Sequence, residues 1–332
     1  MESELEKLIK KYRDLGIDRQ LDYDKFYLYS IITHSTAIEG STITELENQI
    51  MFDNGIALKG KSLVEQNMNL DLKAAYERVL ELSSEHSDVS VAGLKELSAL
   101  VMKNTGSVYH TVLGDFSSSN GDLRLLNVTA GIGGKSYMGF NKVAACLEEF
   151  CKTLNLKRGE AGSMTVQELY EMTFDAHYNL VTIHPWADGN GRMARLLMNW
   201  LQFEFQLIPS RIFADDKEEY IKALVETRES DDMSIFRRFM TETMTRHLAN
   251  DIDAFEKSIG NISLAKTDTP TTGDKIIALL RKNPRHTAKS LAEAIGISAK
   301  GVEKHLLKLK TQGKIRRIGP DKGGHWETNQ DN

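Results

Sequence analysis

The sequence predicts a mainly α-helical protein that ends in a small winged helix-turn-helix, and three observations predict it. Apolar residues recur at three- to four-residue spacing over 5–15, 68–84, 91–104, 140–156, 165–183 and 191–207, the mark of helices that bury one face. The stretch SIGNISLAKTDTPTTGD (258–274) loses that period and is rich in Ser, Thr, Gly and Pro, so it reads as a linker. Beyond it, DKIIALLRKN, TAKSLAEAIGIS and AKGVEKHLLKLKTQG precede KIRRIGPDKGGHWET, the order of three short helices and two strands around a glycine-rich turn. The resulting division is a helical region over 1–100, a core over 101–257, a linker over 258–273 and a winged helix over 274–330 of the 332 residues.

Local signals place the elements. Thr165 stands where a helix N-cap belongs, before VQEL, and Ser35 reads as the cap of a helix starting STAIEG. GIGGKSYMGF (131–140) is short, glycine-rich and bounded by turn formers, so it reads as a hairpin or extended flap. FSSSNGDLR (116–124) reads as a polar loop. Gly296 in AIGIS supplies the tight turn between the second and third tail helices.

Composition excludes several classes. Hydrophobic residues make up 41% and charged residues 27%, ordinary for a globular chain, and five prolines without low-complexity runs argue against a disordered scaffold. No stretch of about 18 apolar residues exists for a membrane span. The charged start MESELEKLIKKYRDLG lacks the apolar region of a secretory signal, and Cys146 and Cys151 match no zinc or CxxC spacing. The expectation is a cytoplasmic protein with two buried thiols. The net charge of -5 conceals an asymmetry: residues 271–332 carry 13 basic and 6 acidic groups, whereas the rest carry 29 and 41. An acidic body with a basic tail points to two jobs, one near an anion.

The segment that carries chemistry is HPWADGNGRMAR (184–195). Pro185 disfavours helical geometry at His184. Asp188-Gly189-Asn190-Gly191 makes a sharp loop whose glycines let backbone N–H groups approach a ligand closely. A helix starting near Arg192 would direct its free N–H groups and positive dipole end at the same spot, a ready anion site. Arg192 and Arg195, about one turn apart, suit phosphate oxygens or a carboxylate. Asp188 beside phosphates is a hard oxygen donor for Mg²⁺. His184 is an imidazole able to take a proton from an attacking hydroxyl. Base, metal ligand, anion site and guanidinium together describe phosphoryl or nucleotidyl transfer.

HPWADGNGRMAR closely resembles the Fic-domain signature HPFx[D/E]GNGRxxR, departing only at Trp186, where Phe is usual and either aromatic would anchor the loop. The looser flanks GDFSSS…NVTAGIGGKSYMGF and EEYIKALVETRESDD extend the resemblance over about residues 30–245. It implies a Fic-type helical core with a β-hairpin flap and an adenylyltransferase that moves AMP from ATP to a Ser, Thr or Tyr hydroxyl of a target protein. By the same resemblance His184 is the general base, and Asp188 holds Mg²⁺ across the α- and β-phosphates. Gly189, Asn190 and Gly191 cradle phosphate oxygens; Arg192 holds the β/γ end and Arg195 the γ-phosphate. Residues around Ile132, Gly133, Gly134, Lys135 and Ser136 form a flap that pairs with the target as an added strand. Tyr220 is the aromatic that contacts adenine, or else a plain packing residue of its helix.

STAIEGS (35–41) taken alone reads as a capped surface helix with a solvated glutamate. It also resembles the Fic inhibitory motif [S/T]xxxE[G/N], in Ser35, Glu39 and Gly40. The resemblance implies that Glu39 pairs with Arg195 and takes the γ-phosphate position, since one guanidinium fork cannot serve a carboxylate and a phosphate together. It equally allows Glu39 to align a water that removes AMP from a modified target. In the tail, Lys300, Lys304 and Lys308 recur on one helix face, with Val302, Leu306, Leu307 and Leu309 on an apolar side and Lys314, Arg316 and Arg317 in the wing. That pattern fits a recognition helix on DNA, or a small protein-contact module. Two rival readings stay open: a DNA-binding regulator whose core senses nucleotide without turnover, and transfer of UMP or phosphate instead of AMP. Relatives of this type often form homodimers.

Overall fold

The structure is a computed structural model that describes residues 3–129, 136–268, 272–311, 313–319 and 324–328; over 260–268 only the helical backbone is described. The contacts divide the chain into two units, Met1–Asp253 and Ala254–Asn332.

The first unit is helical, as the periodicity predicts. Helices α1 (Glu4–Asp14), α2 (Tyr23–Ile38), α3 (Glu45–Asn54), α4 (Leu63–Ser84) and α5 (Val91–Val101) precede a hairpin of β1 (Val108–Thr111) and β2 (Gly114–Ser117). Then come α6 (Phe140–Gly159), α7 (Val166–Ile183), α8 (Asn190–Glu204), α9 (Lys217–Ser230) and, as far as Asp253, α10 (Met233–Asp268), whose remainder is counted with the second unit. Capping boxes open several of them: Ser3 with Glu6, Thr44 with Glu47, Ser62 with Glu65, and Thr165 with Glu168, the last at the cap the sequence marks.

Helix α8 is the axis of this unit. Arg192 to Gln202 are all buried, and Leu196, Leu197, Trp200 and Leu201 meet Leu72, Tyr76 and Val79 of α4 and Leu180 of α7 in one core. Of its buried polar side chains, Asn199 and Gln202 are well partnered, whereas Arg192 Nε and Trp200 Nε1 have no hydrogen-bond partner. Asn199 accepts from the Tyr76 hydroxyl at 2.6 Å and donates to the Ser210 carbonyl, and Gln202 bonds Thr173 and Ser210. An apolar helix hydrophobic on nearly all sides belongs at a centre, and this places the residues at its N-terminus inside the body rather than at its rim.

Several readings are corrected. Ser35 is not a helix start: α2 runs unbroken from Tyr23 and ends at Glu39, its C-cap, because Gly40 takes φ +100 and leaves the helix. Over 116–124, Phe116 and Ser117 complete β2, with β1–β2 in antiparallel register Val108↔Ser117, and Ser118–Asn120 form a 3-10 turn. The stretch 258–274 does not lose helix where expected, since α10 continues to Asp268. Helix α8 begins at Asn190, two residues before the expected start. Cys151 is buried, with its thiol pushed up to about 11 by burial, whereas Cys146 is only half-buried. At 131–140, a bridge between Thr129 and Ser136 and a bond from Tyr137 N–H to the Val128 carbonyl form the base of a hairpin. Ile132, Gly133, Gly134 and Lys135 lie outside the described residues.

The second unit carries α11 (Thr272–Lys282), α12 (Ala288–Ile295), α13 (Ala299–Thr311) and the antiparallel pair β3 (Ile315–Ile318) and β4 (His325–Thr328). Ile276, Leu280, Leu291, Val302, Leu306, Leu309 and Ile315 form its core, and Gly296 at φ +80 makes the turn between α12 and α13. Leu307 does not join that core; it is 66% exposed, because helical phase puts it beside Leu306 on the outer face. No helix among the described residues is long and apolar enough to cross a membrane.

Candidate active site

The loop between α7 and α8 is built by its own sequence. His184 closes α7 in the left-handed region (φ 52, ψ 62), its N–H still bonded to the Leu180 carbonyl. Pro185 follows, and Trp186 anchors the turn: its side chain is fully buried and its indole N–H donates to the Gly121 carbonyl at 3.2 Å. Asn190 then locks the turn from both sides, accepting from Trp186 N–H and donating to the Trp186 carbonyl. Gly189 needs its φ of +82, and a Cβ there would come within 2.8 Å of the Met102 sulfur. The Trp for Phe departure is therefore accommodated as an apolar anchor with one added hydrogen bond.

A cavity of about 260 Å³ opens over this loop. It is lined by Glu39, Tyr137, His184, Asp188, Gly189, Asn190, Gly191, Arg195, Lys217, Tyr220 and Leu224, among others. His184 and Tyr137 stack with centroids 3.8 Å apart. The imidazole Nδ1 lies 3.2 Å from the Val181 carbonyl. An acceptor there selects the tautomer with the proton on Nδ1 and leaves the Nε2 lone pair as an acceptor. Burial, with the Arg124 and Arg228 charges, pushes the ring down to about 4 against the pull of Val181 and Asp188, so it is neutral at pH 7.

The two arginines differ sharply. Arg195 is buried and well held: Nε donates to Ser35 Oγ at 2.9 Å, and one terminal nitrogen donates to the Ser35 carbonyl at 2.9 Å and to Glu39 Oε1 at 2.7 Å. Burial would raise the Glu39 carboxyl, but Arg195, Arg192 and Lys217 outweigh it and keep it below its ordinary value. Glu39 is thus paired with a buried guanidinium, with 34% of its side chain still accessible, and it stands at a helix end rather than a start. Arg192 is as buried as Arg195 but poorly served. Its contacts are the Val101 carbonyl at 3.4 Å, the Met102 sulfur at 3.1 Å and Asp188 at 3.9 Å, and its Nε has no hydrogen-bond partner. A buried guanidinium with such weak acceptors favours any anion that reaches it. Gly191 permits the close approach of the ion pair: a Cβ would sit 3.0 Å from Glu39 Oε1 and 3.1 Å from Arg195.

Asp188 has a side chain 60% exposed and accepts the Gly189 N–H at 2.6 Å. One accessible carboxylate beside an anion site fits Mg²⁺, which takes a single protein carboxylate plus substrate phosphates. No cluster of three or more His, Cys, Asp or Glu able to cage a metal occurs among the described residues.

Tyr220 lines the cavity, yet it is only 2% exposed and its hydroxyl lies 3.0 Å from His177 Nε2 in a cluster with Phe236 and Phe239. Its helix instead offers Ile221, Leu224, Val225 and Arg228 to an adjoining cavity of about 290 Å³ with Tyr137, Val181 and Thr182. Sequence reasoning missed these residues; the spacing Ile221, Leu224, Val225, Arg228 marks one face of α9 but not what it faces. It also missed Arg124, whose side chain reaches the His184 carbonyl.

The comparisons agree with this architecture. Residues 88–202 match the model of the Fic/DOC family, and residues 274–316 match that of the winged helix-turn-helix DNA-binding family. The chain is similar to protein adenylyltransferase fic-1 of Caenorhabditis briggsae, 28% identical over 250 residues, covering 74% of this chain and 45% of that protein. It resembles protein adenylyltransferase Fic of Drosophila melanogaster at 28% over 217 residues, covering 65% and 40%. The chain therefore spans less than half the length of these curated relatives. Among solved structures, a Fic domain-containing signaling protein from Bacteroides thetaiotaomicron superimposes with a TM-score of 0.63 at 21% identity, covering 77% of this chain and 97% of that one. A Fic family protein from Desulfovibrio desulfuricans gives 0.61 at 18%, covering 99% and 94%. The helical frame around α8 thus has the fold of solved Fic proteins, with a Fic/DOC family match over residues 88–202 and a winged helix-turn-helix match over residues 274–316 toward the C-terminal end.

Proposed function

We propose that the chain is an autoinhibited protein adenylyltransferase. The observation that carries it is the unequal filling of one anion site: Glu39 occupies Arg195 at 2.7 Å, while buried Arg192 beside it meets only weak acceptors. A protein that places its own carboxylate on one of two phosphate-binding guanidinium groups, over a neutral imidazole, has a nucleotide site with a brake. In this reading the region 1–100 supplies the brake and 101–257 the chemistry.

In the reaction, a Ser, Thr or Tyr hydroxyl of the target gives its proton to Nε2 of His184 as its oxygen attacks the α-phosphorus of ATP. The new O–P bond forms, the bond to the β-phosphate bridging oxygen breaks, and pyrophosphate leaves. The backbone N–H groups at the start of α8 and the two arginines stabilise charge on the phosphate oxygens. Asp188 would hold Mg²⁺, which neutralises phosphate charge. The apolar cavity of Ile221, Leu224 and Val225, capped by Tyr137 and Arg228, suits the flat base. We assign the base there, with Tyr220 as a buried wall rather than a stacking partner.

The deciding experiment incubates wild type and Glu39→Gly with α-labelled ATP and Mg²⁺, followed by mass spectrometry. The expected result is more label in Glu39→Gly, by about 5- to 150-fold on the scale of ordinary coupling energies, with a mass gain of AMP on a hydroxyl side chain. Equal, absent labelling in both proteins would leave a nucleotide sensor. A gain matching UMP or phosphate would change the donor.

For the tail, we propose duplex DNA as the partner of α13, whose Lys300, Lys304 and Lys308 are exposed. The wing contributes less than its sequence implies, because Arg316 pairs with Glu327 at 2.7 Å and Arg317 lies over the Trp326 ring. Affinity for duplex DNA that falls steeply with salt is expected; no binding at low salt would leave a protein-contact module.

A further inference from the structure

We propose that Arg124 is a positioning residue: it holds the His184 backbone in its left-handed conformation and couples that backbone to the paired residues Val128–Tyr137 and Thr129–Ser136. The inference rests on the reading of His184 as the base. Arg124 is 1% exposed, and no carboxylate pairs with it among the described residues. Its charge is directed entirely at main-chain carbonyls. Nε donates to His184 at 2.7 Å, one terminal nitrogen to Leu126 at 2.8 Å, and the other to Met138 at 2.6 Å. Its own backbone N–H donates to the Pro185 carbonyl at 3.0 Å.

These acceptors belong to two structures. Two are the first carbonyls of the catalytic loop. The other two flank the hairpin base, just outside the Val128–Tyr137 and Thr129–Ser136 pairings. A non-glycine residue in the left-handed region persists when its surroundings over-determine it. At His184 that surrounding is the Leu180 bond from one side and Arg124 from the other. The guanidinium is a rigid planar fork, so a shift of Met138 is transmitted to the His184 carbonyl, which a flexible ammonium would not do.

The test uses the full chain carrying Glu39→Gly, with Arg124→Gln and Arg124→Lys added. For Arg124→Gln, kcat is expected to fall about a hundredfold, the cost of a misplaced reacting group, with KM for ATP close to the parent's. Arg124→Lys keeps the charge and is expected to keep the parent's pH profile, in the field of Asp188 and Arg228, without recovering kcat. Hydrogen exchange supplies a readout that needs no turnover: the amides of His184 and Tyr137 are expected to exchange faster together in both variants, while those of α4 and α8 stay protected. An unchanged pair of amides, a change at only one of them, or loss of protection throughout the fold would overturn the proposal. An inactive Glu39→Gly parent would sink the transferase reading instead, with the exchange result still deciding the role of Arg124.

Discussion

The loop from His184 to Gly191 and the end of α2 from Ser35 to Gly40 face each other across one cavity, but they are held there by different means. The loop is tied by Leu180 and the reciprocal Asn190–Trp186 bonds within itself, and by the 121–124 segment through Gly121 on the Trp186 indole and Arg124 on the His184 and Pro185 carbonyls. The α2 end is held from behind by a buried polar network. Asn69 of α4 accepts from Thr36 at 2.8 Å and from Asn48 of α3 at 2.8 Å, and donates to Ser41 at 3.0 Å. Toward the cavity it offers the Glu39 ion pair and the Ser35 contacts to Arg195. The difference teaches that the backbone of the loop is set without α2, whereas the position of Glu39 depends on three helices and Arg195 takes its partners from α2. On the proposed reading, Glu39→Gly removes the carboxylate while Ser35 still holds Arg195.

Removing the base should have the largest effect. In the Glu39→Gly background, His184→Ala is expected to lower the transfer rate by about 10²- to 10⁴-fold, the usual worth of a general base, with ATP affinity retained by equilibrium binding. A loss of affinity instead would mean the loop had collapsed, which would contradict its self-sufficiency.

The network behind α2 should give a smaller effect in the opposite direction. Asn69→Leu removes one buried hydrogen bond from each of Thr36, Asn48 and Ser41, which keep their bonds to the Ile32 and Thr33 carbonyls, to Thr33 Oγ1 and from Ile43 N–H, a cost of about 0.5–1.5 kcal/mol for each bond lost. Tm should fall by about 2–4 °C per kcal/mol, and labelling by otherwise wild-type protein should rise, but less than in Glu39→Gly. A lower Tm with unchanged labelling would show that the network serves folding alone.

The smallest response is to pH. The His184 ring sits at about 4 against an unperturbed 6.5, so transfer should stay nearly flat from pH 8 toward 5.5 and fall as the pH nears 4. Between those values the unfolded chain binds more protons than the native one. Burying this neutral ring therefore costs stability progressively as pH falls from 6.5 to 4. His177, pushed by burial and by Arg195 down to about 3, acts in the same direction. A rate profile centred near 6.5 would indicate an imidazole open to solvent.

Legibility in the sequence followed locality. Every apolar run with helical period became a helix within a few residues, because a buried stripe and its caps are properties of adjacent residues. The loop at 184–191 was equally readable, since Pro185, Gly189 and the Asn190–Trp186 lock all act within a few positions. Ser35 was misread because Ser before a polar turn signals a helix start, while the apolar residues from Tyr23 to Ile32 that carry α2 into it were given no weight. Tyr220 stayed between adenine contact and helix packing, because an aromatic on a site-lining helix does not reveal that its hydroxyl lies 3.0 Å from His177 Nε2.

The chain by itself determined the helical body, the turn geometry of the loop at 184–191 and the three helices and two strands of the tail, all set largely by interactions across one or two turns. Only the tertiary structure decided that the equally buried Arg192 and Arg195 have unequal partners, that Glu39 reaches across 156 positions to one of them, and that Arg124 binds the loop to the hairpin. The physical reason is that a charge buried at the centre of a fold takes whatever acceptor packing brings to it, and packing joins residues that no short window of sequence contains.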